Sequence, residues 1–318
     1  MTTETLFLPQ MKSEKPFLDF SNYLSSRFPY KVQKISIDAG FTCPNRDGSK
    51  GRGGCTYCNN QSFSPGYGKP QKTVTRQLKD GIDFFARKYP SMKYLAYFQS
   101  YTNTYDSVDN LIELYREALS YPDVVGLVIS TRPDCMPDEL LDYLEKLNRQ
   151  TFVLVEYGVE STLDRTLERV NRCHTWEDSQ NAIRKTVERG IATGAHLILG
   201  LPGESKDEML EHAARISALP LTTIKLHQLQ IIKGTAMARD YRRNPSSISL
   251  FSLDEYIDLC VSFAERLNPE LYIERFASQS PKELLIAPDW GLKNYELTDR
   301  VVKRFAQRDT YQGKFFGR

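Results

Sequence analysis

The sequence has no apolar stretch near the roughly 20 residues that a membrane-spanning helix needs. Its longest apolar runs, such as GLVIS (126–130) and HLILGLP (196–202), have the length of buried strands. The first twenty residues, MTTETLFLPQMKSEKPFLDF, lack the continuous apolar core of a secretory leader. These absences predict a cytoplasmic protein with no membrane partner. Charge of one sign is missing too. A net charge of +2 over 318 residues is too mild to imply a nucleic-acid partner by itself, and DNA is not expected. No internal repeat and no low-complexity tract occurs. In a reducing compartment six cysteines are not expected to form a disulfide framework, so clustered thiols point to metal binding or catalysis. Cys43, Cys55 and Cys58 cluster; Cys135, Cys173 and Cys260 are scattered.

The chain is 40% hydrophobic and 26% charged, which suits a globular protein with a substantial core. Strand-like and helix-like segments alternate along it. KISID (34–38), YLAYFQ (94–99), VVGLVIS (124–130), FVLVEYG (152–158), TGAHLILG (193–200) and TIKLHQLQ (223–230) read as strands. Between them, Leu78, Ile82, Phe85 and Tyr89 recur at helical spacing. Ser107 and Pro137 suit helix starts, and Gly190 suits a helix end. Six such units predict an α/β fold: a partial (β/α)6 barrel, with the chemistry at the C-terminal ends of the strands. Beyond residue 235 the alternation weakens. A helix from Leu253 to Leu267 and a strand at LYIER (271–275) are expected there. The expected organisation is an N-terminal segment (1–30), a core barrel (31–235) and a C-terminal extension (236–318).

The loop after the first strand is Cys43-PNRDGSKGRGG-Cys55-TY-Cys58. Two residues separate Cys55 from Cys58, so both thiolates can reach one metal centre. Cys43 lies eleven residues earlier, across glycines that let it fold back. Three thiolates on a [4Fe–4S] cubane leave one iron open to another ligand. Zinc is the competing reading, yet structural zinc takes four ligands, usually as two close pairs. No second C-x-x-C is present, and only Cys135 or His174 could supply a fourth ligand.

Tyr57, just before the last cysteine, matches the C-x-φ-C pattern of the radical S-adenosylmethionine (SAM) superfamily. The wide gap from Cys43 to Cys55 resembles the Elongator catalytic subunit and its relatives. The resemblance implies a [4Fe–4S] cluster on Cys43, Cys55 and Cys58, with SAM on the open iron. It also implies reductive cleavage of SAM to a 5′-deoxyadenosyl radical, fed by a reductase or by flavodoxin or ferredoxin. Later segments resemble the family's SAM contacts. Gln99 and Ser100 stand where a GGE-like motif usually lies. Ser130 and Thr131 begin STRPD. Glu160 occupies the glutamine position of a "GVQS" segment. Arg172 suits the methionyl carboxylate, His196 sits on a strand facing the site, and Gly200 opens the "GLPGE" turn that approaches the adenine. No G-x-G-x-x-G follows the first strand, which counts against a Rossmann methyltransferase. Tyr101 and Cys173 are candidate hydrogen-atom donors.

IERFASQSPKELLIAPDWGL (273–292) and DTYQGK (309–314) resemble the bacterial YhcC/YtqA group. The Elongator-like resemblance implies work at C5 of the wobble uridine of tRNA, specifically conversion of carboxymethylaminomethyl-uridine to aminomethyl-uridine. A tail with six Lys/Arg against two Asp over residues 299–318 is compatible with phosphate contacts. Tyr311, Phe315 and Phe316 could stack on bases or be buried against the barrel. A porphyrin or other small-molecule substrate, and a non-catalytic iron–sulfur or zinc protein that binds RNA, remain alternatives.

Overall fold

The computed structural model describes residues 15–86 and 91–317. Residues 1–14 of the N-terminal segment, Tyr89 and Arg318 lie outside the described residues. The chain runs α1 (Phe20–Arg27), β1 (Val32–Ile37), α2 (Pro44–Asp47), α3 (Val74–Ala86), β2 (Lys93–Phe98), α4 (Val108–Ser120), β3 (Val124–Thr131), α5 (Asp138–Asn148), β4 (Phe152–Glu160), α6 (Asp164–Arg169), α7 (Trp176–Glu188) and β5 (Ala192–Leu199). It continues α8 (Lys206–Ser217), β6 (Thr223–Gln228), β7 (Ile231–Ile232), α9 (Ala236–Arg243), α10 (Leu253–Ala264), β8 (Tyr272–Arg275), β9 (Leu285–Ala287) and α11 (Asn294–Gln307). The helices start where local chemistry tells them to. Ser107 accepts from the Asn110 amide, and Ser205 and Glu208 cap each other reciprocally.

Seven parallel strands form one sheet in the order β1-β2-β3-β4-β5-β6-β8, curled into an open half-barrel. Parallel strands covered on both faces read as continuous apolar runs, which is why six of them are plain in the sequence. The seventh corrects the expected six. LYIER was assigned to the extension, yet it pairs with β6 through Thr223↔Tyr272 and Ile224↔Ile273. Only a spatial partner makes a four-residue segment part of a sheet. The N-terminal segment then covers its outer edge: the Ile273 amide donates to the Leu18 carbonyl at 2.8 Å, so that edge is not left bare.

The larger core lies between the sheet and its outer helices, from Ile35 and Phe98 through Leu144 to Phe305. A smaller one fills the barrel from inside, where α1 lays Phe20 and Tyr23 against Leu95, Tyr97, Val128 and Leu154. Above it the interior turns ionic. Lys34 on β1 meets both Glu156 on β4 and Glu274 on β8 at 2.7 Å, which ties together the two ends of the open barrel. Lys225 reaches Glu156 at 2.5 Å and Glu274 at 3.1 Å.

The basic tail is anchored away from the strand ends. The Gln312 side chain donates to the carbonyls of Asn268 and Leu271, just before β8 begins. Arg304 pairs with Asp254 and Asp258, and Arg308 with Glu265 at 2.7 Å. Among the described residues no helix is long and apolar enough to cross a membrane.

Candidate functional site

At the C-terminal ends of the strands lies an open cavity, lined by residues from the cysteine loop and most strand ends. The loop is fixed from two sides. The Thr56 amide donates to the Val170 carbonyl at 3.0 Å, and the Met237 amide of α9 donates to the Thr56 carbonyl at 2.8 Å. Asn171 holds the Gly54 carbonyl at 2.9 Å. Gly54 sits at φ +77° with Arg46 packed so close that a Cβ would lie 3.0 Å from its Nε, so this turn tolerates glycine alone.

Cys43, Cys55 and Cys58 all line the cavity. Donors aim at their sulfurs. Arg172 Nη1 and Asn45 Nδ2 each approach Cys55 Sγ to 3.6 Å, and Asn60 Nδ2 approaches Cys58 Sγ to 3.6 Å. Desolvation, followed by the charge of Cys55, pushes the Cys58 thiol up to about 11, against the pull of Arg46. The pocket thus holds thiols together at a cost that a bound cation repays. Among the described residues no three His, Cys, Asp or Glu side chains converge as a single chelated ion would require. The edges of a cubane hold its ligands apart, so this wall suits a cluster better than mononuclear zinc.

Beside the cysteines stands a second polar group. Arg172 donates to the Gly158 carbonyl at 2.7 Å and to His174 Nε2 at 3.0 Å, and its guanidinium lies 3.5 Å from Glu160. A guanidinium only donates, so His174 Nε2 accepts. Burial, followed by the charge of Arg172, depresses His174 to about 3. Glu160 ends β4 at φ +68°, a conformation costly for a residue with a side chain. Burial raises its pKa, against the pull of Arg172. A Cβ on Gly158 would sit 2.6 Å from Glu160 Oε1 and 2.7 Å from Arg172 Nη2. Tyr57 packs against the apolar cluster of Val170, Ile198, Leu229 and Met237. Its hydroxyl, Thr102 Oγ1, Arg132 Nη1 and Arg275 Nε are buried without a hydrogen-bond partner, and all four residues line the cavity. Buried polar groups are seldom left so; a polar ligand would satisfy them.

Most of the residues singled out from sequence meet here: Tyr57, Gln99, Tyr101, Ser130, Thr131, Glu160, Arg172 and His196. Three do not line the cavity. Ser100 is buried against Ser64 at 2.9 Å. Gly200, at φ +95°, lies under Phe251, 3.2 Å from where its Cβ would be; packing and handedness account for that glycine. Cys173 turns its thiol toward Asn171 Oδ1 at 3.5 Å. Sequence reasoning missed Arg132, His227 and Arg275. Arg132 follows the STRPD strand end directly and was within reach. Arg275 ends a strand that only the tertiary structure adds to the barrel.

Residues 43–216 match the sequence model of the Radical SAM superfamily, and residues 221–307 that of the Radical_SAM C-terminal domain. The protein YtqA of Bacillus subtilis (strain 168) is 36% identical over 310 residues, covering 98% of this chain and 96% of YtqA. A tRNA uridine(34) acetyltransferase of Methanocaldococcus jannaschii is 25% identical over 183 residues, covering 56% of this chain and 32% of that protein. Among solved structures, the archaeal Elp3 of Methanocaldococcus infernus with an N-terminal deletion superposes with a TM-score of 0.65 at 16% identity. The match covers 89% of this chain and 64% of that one.

Proposed function

The chain belongs to the radical SAM superfamily, and on that premise we propose that it is a tRNA-modifying enzyme working on the C5 side chain of the wobble uridine. The cofactors are a [4Fe–4S] cluster and SAM; when bound, they supply a carbon radical able to take a hydrogen atom from an unactivated C–H bond. The residues present fit both. Cys43, Cys55 and Cys58 would hold the cluster, with Asn45, Asn60 and Arg172 donating toward the two closer sulfurs. Arg172 would take the methionyl carboxylate, a task suited to a guanidinium fork. Glu160 would accept from the ribose hydroxyls, and Tyr57 would lie against the adenine. Gln99, Ser130, Thr131 and His196 supply further polar groups on the same walls.

The tRNA reading is carried by one observation: the similarity, across more than half of this chain, to a protein named for acting on tRNA uridine 34. Charge placement supports it. α9, held to the cysteine loop through Thr56, presents Arg239, Arg242 and Arg243 to solvent, with Lys233 exposed just before it and Asp240 the one acid in the helix. Phosphates can be gathered there. The specific proposal is trimming of carboxymethylaminomethyl-uridine to aminomethyl-uridine, with a flavodoxin- or ferredoxin-type donor supplying electrons. Nucleoside mass spectrometry of tRNA from a deletion strain tests it. The expected result is a wobble uridine with an unprocessed C5 side chain. A normal profile, in a strain without a redundant enzyme, removes the tRNA reading and leaves the radical chemistry in place.

A further inference from the structure

The barrel interior carries more positive than negative charge, and the excess faces the cavity. Three cations, Lys34, Lys225 and Arg275, share the interior with two carboxylates, Glu156 and Glu274. Both carboxylates are already bound by the lysines, at 2.5–3.1 Å. Arg275, at the C-terminal end of β8, has no carboxylate within ion-pair distance among the described residues. The other two guanidiniums held deep in the cavity are balanced, Arg132 by Asp134 at 2.9 Å and Arg172 by Glu160 at 3.5 Å.

The imidazoles do not balance Arg275 either. Arg275 Nη2 lies 3.0 Å from His227 Nε2. A guanidinium only donates, so that nitrogen accepts and His227 is neutral. His227 lies alongside His196, ring centroids 5.5 Å apart, and His196 meets Glu156 at 3.1 Å. Burial, followed by the charge of Lys225, lowers His196 to about 4. Arg275 Nε is buried with no partner at all. On the same wall Gln230 accepts the Ser280 hydroxyl at 2.8 Å, and Ser278 and Ser280 line the cavity beside it. A half-buried guanidinium with an unused donor calls for an anion, and its planar fork suits a carboxylate.

We propose that Arg275, oriented by His227, is the subsite for a carboxylate on the substrate, separate from the carboxylate of SAM. The inference rests on the reading of the cavity as a radical SAM site. It adds that the group to be modified carries an acid, as a carboxymethylamino side chain does. The anchor lies at the strand ends, inside the barrel, where it would hold a short side chain and leave the rest of a large substrate at the mouth.

The test uses the reconstituted full-length protein with SAM bound and no reductant. It is titrated with N-benzylglycine and with the neutral N-benzylglycinamide, followed by calorimetry. The acid should bind about tenfold or more tighter than the amide, as a charge-assisted contact implies. Arg275→Gln should erase that preference, with SAM affinity by equilibrium dialysis changing less than about threefold. Arg275→Lys, which keeps the charge and loses the fork, should keep part of the preference and decides the matter where the Gln variant fails to fold. Equal binding of acid and amide by the unaltered protein overturns the proposal, as does a preference that survives both substitutions. A parallel fall in SAM affinity also overturns it, by assigning Arg275 to the carboxylate of SAM. The outcome is independent of the tRNA reading, because a normal wobble-uridine profile would leave the acid–amide comparison standing.

Discussion

The two ends of one half-barrel treat their polar and apolar groups in opposite ways. Where the strands begin, aromatic rings pack in pairs. Tyr23 packs on Tyr272 at 5.1 Å and Phe28 on Phe152 at 5.5 Å; the tail closes over with Arg304 and Arg308 paired. Where the strands stop, four of the residues lining the cavity, Tyr57, Thr102, Arg132 and Arg275, hold buried polar atoms without partners. Lys34, Glu156 and Lys225 mark the boundary. The lower end supplies stability. The upper end keeps buried polar atoms without partners, which stability alone would have removed.

The comparison breaks most sharply at the cysteines. Cys43→Ala, Cys55→Ala or Cys58→Ala should take bound iron from about four atoms to none and abolish reductive SAM cleavage. Cys260→Ala, in the outer core, should keep both; iron assay and 5′-deoxyadenosine release check this. Stoichiometric zinc in place of iron would sink the cluster assignment. At the other end, Tyr23→Ala should cost about 3–5 kcal/mol of unfolding free energy, read by denaturant titration. The folded fraction should still bind SAM with unchanged affinity. A loss of SAM binding there would mean that the two ends are coupled.

Smaller effects sharpen the contrast. Gly158→Ala should lower SAM affinity by about 1.5–3 kcal/mol, because the new methyl displaces Arg172 and Glu160; the melting temperature should move little. Arg239→Glu with Arg242→Glu should flatten the salt dependence of tRNA binding by about two in the log–log slope. Arg304→Ala should leave tRNA binding alone and cost about 0.3–1 kcal/mol of stability, since its charge is spent on Asp254 and Asp258.

Some residues were legible before any coordinates. Cys43, Cys55 and Cys58 were readable because a C-x-x-C pair with a third thiol across a glycine loop has few uses. Arg172 and Glu160, singled out from the segments around them, both line the cavity. Gly200 was not, because a glycine at a turn has the same appearance whether a cofactor or Phe251 lies above it. The tail read as basic and available; in space Arg304 faces Asp254 and Asp258 of α10, and Arg308 pairs with Glu265.

What the sequence by itself determined was the rhythm of six strands and their helices, the cap at Ser107, and the chemistry of the cysteine loop. These depend on residues near one another in the chain, or on apolar runs that record burial on both faces. What only the tertiary structure decided was the seventh strand, the ion pairs that tie β1 to β8, and the unpaired Arg275. Strand pairing and charge balance are sums over groups far apart in sequence: Lys34 and Glu274 are 240 positions apart yet within 2.7 Å. No local pattern records which charge will be left without a partner.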